Sequence, residues 1–261
     1  MRRHPSPFVR LLLAAAVLVP LLAVGGPVGA ASAADTPSAG FSLDVAERSA
    51  FVAQRTFVQC VGASMQMMLN IIDTRNDHSA RTQGSLQALA RDLSGPTRAG
   101  FQRKGASVSG WAAGLNQLDA GPYRIVGTAT LDEALRLAAL SIRETGKPVG
   151  LLVWGGRHAW VMSGFRATAD PRRTGRFRVT AAIVLDPLYP YGSSRWGPSP
   201  RPRESLSPAK LGRQFVPRRS GTWPGAPTGV AGAMMKALAG KYVIVMPYVP
   251  IRVARTILVA A

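Results

Sequence analysis

Cysteine is almost absent: the 261 residues hold one, Cys60. A single cysteine excludes a disulfide scaffold and a multi-thiolate metal site. Acidic residues are scarce as well, 13 Asp and Glu against 32 Lys and Arg, which leaves a formal net charge of +19. Histidine occurs only at positions 4, 78 and 158. The chain has no H-E-x-x-H, no G-x-S-x-G and no phosphate-cradling glycine loop. Zincin, serine-hydrolase and nucleotide-binding chemistry therefore have no motif here, and neither metal nor cofactor is expected. The chain also lacks the low hydrophobicity of a disordered protein, since 47% of it is apolar. Its length suits one or two domains with a real core. The arginine-rich balance points to anionic partners and is silent on fold.

The one long apolar run is at the start. Arg2, Arg3 and Arg10 precede Leu11 to Leu22, Gly25-Gly26-Pro27 breaks the run, and Ala31-Ser32-Ala33 supplies small residues. This is the pattern of an export signal cleaved after residue 33, with a retained membrane anchor as the alternative. Cleavage would leave 228 residues (261 − 33) and a charge of +16 (19 − 3). The later Val/Ile-rich stretch from Tyr242 to Ala261 is interrupted by Pro247, Pro250, Arg252 and Arg255, so no membrane span is expected there. The expected product is a secreted protein with a flexible lead over 34–42 and one domain over 43–261.

Helical periodicity is strongest over Cys60 to Ile72, where Val61, Met65, Met68 and Ile72 share a face. Gly62, Gln66 and Asn70 form its only polar stripe, so this helix belongs in an interior. Weaker helical patterns cover Asp44 to Gln54, Ser85 to Leu93, Trp111 to Leu118 and Leu131 to Thr145. Strand-like stretches follow at Val149 to Trp154, His158 to Thr168, Phe177 to Leu185 and Tyr242 to Val249. Gly155-Gly156 reads as a hairpin turn, and Asp170 to Gly175 as a longer one. Helices first and antiparallel strands afterwards indicate an α+β domain. Residues 187–227 hold 9 Pro and 5 Gly, and read as a loop with a helical turn at Ser207-Pro208. Residues 166–219 carry 12 Lys/Arg against 3 Asp/Glu, a net +9, which suits an anionic cell-envelope polymer. The aromatics Tyr189, Tyr191, Trp196 and Trp223 lie near that run, but no nucleic-acid motif accompanies them.

An exported protein with one thiol directs attention to what surrounds it. Cys60 opens the interior helix, where unsatisfied amides and the helix dipole favour a thiolate. Gln54, six residues earlier, can turn its amide back toward the thiol and, with the Cys60 N–H, form an oxyanion hole. Of the histidines, His78 lies in a polar loop, whereas His158 opens a strand at a sheet end and can serve as base. Folding the chain about a turn centred near residue 172 sets position 158 against Asp186, a carboxylate able to hold the imidazole's tautomer. Asp170 lies at the opposite end of that hairpin.

Gln54, Cys60, His158 and Asp186-Pro187, with the strand His158-Ala159-Trp160-Val161-Met162-Ser163-Gly164-Phe165, resemble the papain-like cysteine peptidases, most closely the C39-like group. The resemblance covers about residues 50 to 190. It implies a papain-like fold, a central Cys-bearing helix packed on an antiparallel sheet, and hydrolysis of peptide bonds in a peptide or protein substrate. Cys60 would be nucleophile, His158 base, Asp186 orienter and Gln54 oxyanion donor. Where those families continue Cys-Gly-Pro-Ala, this chain has Cys60-Val61-Gly62-Ala63. The alternatives are an inactive binding module of the same fold, or a transglutaminase-like or cell-wall amidase activity.

Overall fold

The computed structural model describes residues 40–221 and 225–248. The expected signal peptide, residues 34–39 of the expected lead, Trp223 and residues 249–261 lie outside the described residues. Along the chain run β1 (Phe41–Asp44), α1 (Cys60–Ile72), α2 (Ala80–Asp92), α3 (Val108–Gln117), β2 (Tyr123–Thr128), α4 (Leu131–Thr145), β3 (Val149–Val153) and β4 (His158–Ala167). They are followed by β5 (Val179–Leu185), a small hairpin of β6 (Gly192–Ser193) and β7 (Gly197–Pro198), β8 (Glu204–Leu206), α5 (Pro208–Leu211), α6 (Gly229–Ala237) and β9 (Tyr242–Pro247). The fold is mixed α+β, with seven antiparallel strands in one sheet. The order is β2-β9-β3-β4-β5-β8, and β1 also pairs with β4. Among the described residues no helix is long and apolar enough to cross a membrane.

Both faces of the sheet are covered. Ala159 and Val161 of β4, Leu152, Leu185, Val243 and Val245 face a core shared with α1, α2 and α3. Trp160, Met162, Leu151, Val184 and Ile244 face a second core built with α4 and α5. Helices thus lie on both sides of the sheet, and α4 is not grouped with α1–α3. Buried on both faces, β3, β4 and β5 read as near-continuous apolar runs.

Two bulges interrupt the β4–β5 pairing. The expected fold placed 161 opposite 183, but Val161 pairs with Leu185, an offset of two residues. One irregularity, between Arg166 and Ala167, makes Thr180 the extra residue on β5. The other, between Met162 and Gly164, makes Ser163 the extra residue on β4. Each flips the alternation of side chains, and together they cancel, so the strand ends keep the expected faces. An odd net slip would have turned His158 or Asp186 to the wrong side.

The segment 44–54, expected as helix, is instead the end of β1, a 3₁₀ turn at Arg48–Ala50 and an extended run. Tertiary pairing overrides a weak helical preference here. β1 lies so close to Gly164 that a Cβ there would stand 2.3 Å from the Leu43 carbonyl oxygen. For the same reason Phe41 and Ser42, expected in the flexible lead, are paired strand residues. The proline-rich stretch is also more ordered than a loop. β8 pairs with β5, Ser207 caps α5, and Leu206, Leu211 and Phe215 are buried.

Candidate active site

Cys60 is the first residue of α1, half-buried, and α1 is held against β4 by the Ser64 hydroxyl donating to the Ala159 carbonyl at 3.2 Å. That bond sets the start of the Cys helix beside the start of the His strand. The amides of Cys60 and Val61 find no acceptor among the described residues. The next one, Gly62 N–H, donates to Gln87 Oε1 at 2.9 Å. The positive end of the helix dipole is therefore open at the thiol and satisfied just behind it.

His158 is buried, and its Nε2 lies 2.7 Å from Asp186 Oδ1. Asp186 is fully buried; the same oxygen also accepts the Leu188 N–H at 2.8 Å, and Oδ2 has no partner among the described residues. With Nε2 engaged, Nδ1 is the ring nitrogen available to the thiol. Burial alone would lower the His158 pKa, and it is the largest single influence. Hydrogen bonding to Asp186 and Cys60, together with their charges, outweighs it and raises the value to about 9.

The Trp154 indole, expected only as the end of a strand, stacks on the His158 ring with centroids 4.2 Å apart and planes at 28°. Trp154 holds a left-handed backbone, φ 58°, and is fixed by Gln214. Its N–H donates to the Gln214 carbonyl and its Nε1 to Gln214 Oε1, each at 2.8 Å. The imidazole is therefore held at its edge by a carboxylate and on one face by an aromatic ring.

Gln54 sits in the loop that enters α1. Its backbone N–H donates to the Pro187 carbonyl at 2.7 Å, which ties it to the residue after Asp186. Its Nε2 donates to the Thr56 carbonyl at 2.9 Å, and the Gln59 N–H donates to the same oxygen at 3.1 Å. One amide proton of Gln54 is thus used inside its own loop and the second remains to donate. Gln83, buried on α2, clamps the loop on either side of Gln54. Its Oε1 accepts the Arg55 N–H at 2.7 Å and its Nε2 donates to the Ala53 carbonyl at 3.0 Å. Neither Gln83 nor Gln87 was read as part of the site, because both contacts span more than twenty residues of sequence.

The residues set aside from the site lie apart from this pair. His78 is exposed and bonded to Asn76 at 2.6 Å. Asp170 forms a two-point pair with Arg143, both contacts at 2.9 Å, which holds its carboxyl down at about 2. Among the described residues no three His, Cys, Asp or Glu side chains converge to hold a metal. Exposed apolar side chains lie on the thiol loop: Phe57 is 84% and Val58 41% exposed, three and two residues before Cys60. A thiol at a helix start, an imidazole and a buried carboxylate, linked in that order, can generate a nucleophile and shuttle one proton. No family model, no curated protein and no solved structure matches this chain.

Proposed function

We propose that this protein is a secreted cysteine peptidase of papain-like fold, a thiol hydrolase acting on peptide bonds. The observation that carries the reading is the buried His158–Asp186 pair at 2.7 Å, whose ring also interacts with the thiol that opens α1. An imidazolium that survives above neutral pH stabilises a thiolate beside it.

In the proposed reaction Cys60 Sγ attacks the scissile carbonyl carbon. The oxyanion is met by the Cys60 N–H and the free amide proton of Gln54. As the C–N bond breaks, His158 gives its proton to the departing amine, which leaves a thioester on Cys60. His158, now neutral, takes a proton from water as the water attacks that thioester; the acid departs and the thiolate–imidazolium pair returns. Asp186 holds the ring by its edge and Trp154 holds its face throughout. Phe57 and Val58 offer an apolar surface to a substrate side chain beside the thiol, and the basic residues of 166–219 suit an anionic envelope polymer.

A peptidyl chloromethyl ketone tests this. The wild-type protein should displace its chloride and form a stable thioether at Cys60 Sγ, detected by mass spectrometry. Cys60→Ala should abolish it, and His158→Ala should slow it by about 100-fold or more. A full rate of labelling in His158→Ala would contradict the proposal and favour the inactive binding module.

A further inference from the structure

A second site lies on the sheet, apart from the thiol. Asp44, Arg48, Arg166, Arg203 and Ser205 line an open cleft of about 570 Å³ over Ile183. Three guanidinium groups stand there against one carboxylate, and that carboxylate is already engaged: Asp44 Oδ2 accepts from Arg203 Nε at 2.8 Å. The neighbouring Glu204 carboxylate is bonded to the Arg201 N–H at 2.9 Å.

The cleft is built rather than incidental. Arg166 is the only residue of β4 that is not buried, so a single exposed cation stands on that strand. Arg203 adopts a left-handed backbone, φ 64°, a conformation that is strained for a residue with a Cβ. It is held there because its N–H donates to the Val184 carbonyl at 2.9 Å and its side chain reaches across to β1. Arg48 enters from the 3₁₀ turn that replaces the expected helix.

We infer that this cleft binds the phosphate groups of a polyanionic chain. Its excess of two positive charges matches a phosphate monoester, or two successive phosphates of a polymer, better than one carboxylate. Guanidinium forks and the Ser205 hydroxyl supply several donors to the oxygens of such a group. The cleft floor at Ile183 is three residues from Asp186 along β5, about 10 Å at roughly 3.3 Å per residue. A chain bound there holds the thiol site close to a phosphate-bearing polymer. The inference stands independently of the peptidase reading, because Cys60→Ala should bind as the wild type does.

Fluorescence anisotropy of the full chain with end-labelled inorganic polyphosphate tests it, with poly-glutamate of equal charge as competitor. Arg48→Gln with Arg166→Gln should lower affinity about tenfold or more. Arg173→Gln with Arg176→Gln, on the exposed β4–β5 turn, removes the same charge and should change it less than about threefold. Poly-glutamate should compete poorly. Equal losses in the two double variants would reduce the effect to diffuse charge and overturn the inference. So would unchanged affinity in the cleft variant, or competition by poly-glutamate as strong as by polyphosphate.

Discussion

His158 holds a proton in a place that ought to expel it. Enclosed in apolar surroundings, an imidazole loses its charge, yet Asp186 and Cys60 reverse that and raise its pKa to about 9. A buried charge pair contributes little net stability compared with well-packed apolar residues, and one here leaves Asp186 Oδ2 unpartnered among the described residues. Such an arrangement is more often retained for chemistry than for stability. The pH dependence follows from the direction of the shift. The folded-state pKa of about 9 exceeds the ordinary 6.5. The pair's contribution is therefore complete below pH 6.5 and is lost as pH rises through 9. Thermal unfolding of the wild type should show a midpoint falling across that window, and His158→Gln should flatten the fall. A variant with the same slope as the wild type would show that another group titrates there.

The seam between α1 and α2 places the thiol. The polar stripe legible in the sequence, Gly62, Gln66 and Asn70, forms that seam. Gly62 meets Gln87, Gln66 donates to the Asp77 and Ser79 carbonyls, and Asn70 exchanges two bonds with Asp77. A Cβ at Gly62 would stand 2.8 Å from both the Gln83 carbonyl oxygen and Gln87 Cβ. Proline at this position would in addition lose the N–H that donates to Gln87. Gly62→Ala should therefore push α2 away and cost about 1–3 kcal/mol in denaturant unfolding. A variant within about 0.5 kcal/mol of the wild type would mean that the helices part freely. Other elements were legible to different degrees. α4 has the expected bounds, because Thr130 caps its start and Gly146 takes the left-handed turn at its end. α2 begins five residues before the expected Ser85, where Ser79 caps Thr82. β2 was missed. It is an edge strand whose exposure alternates poorly, and only its pairing with β9 makes it a strand.

At the scale of the molecule, the sequence carried the α+β class and the chain segments that bear the site. Local signals sufficed there: apolar period, caps, and a turn whose centre sets rough register. What it could not carry was contact at a distance. The Gln83 clamp, the Gln214 hold on Trp154 and the three-arginine cleft each join segments far apart in the chain. The register shows the margin involved, since a turn centre displaced by one residue moved the pairing by two, and a net shift of one in the pairing would have separated the pair. The arginine excess, diffuse in composition, becomes local in the cleft over Ile183.

The central claim is that His158 makes the Cys60 thiol a nucleophile, and the alkylation rate of Cys60 by iodoacetamide across pH measures it most directly. The account predicts rapid alkylation of the wild type already at pH 6, with a loss of about tenfold or more in His158→Ala at that pH. Reactivity that emerges only near pH ~8.5, as in an ordinary thiol, and that is unchanged by His158→Ala would contradict it.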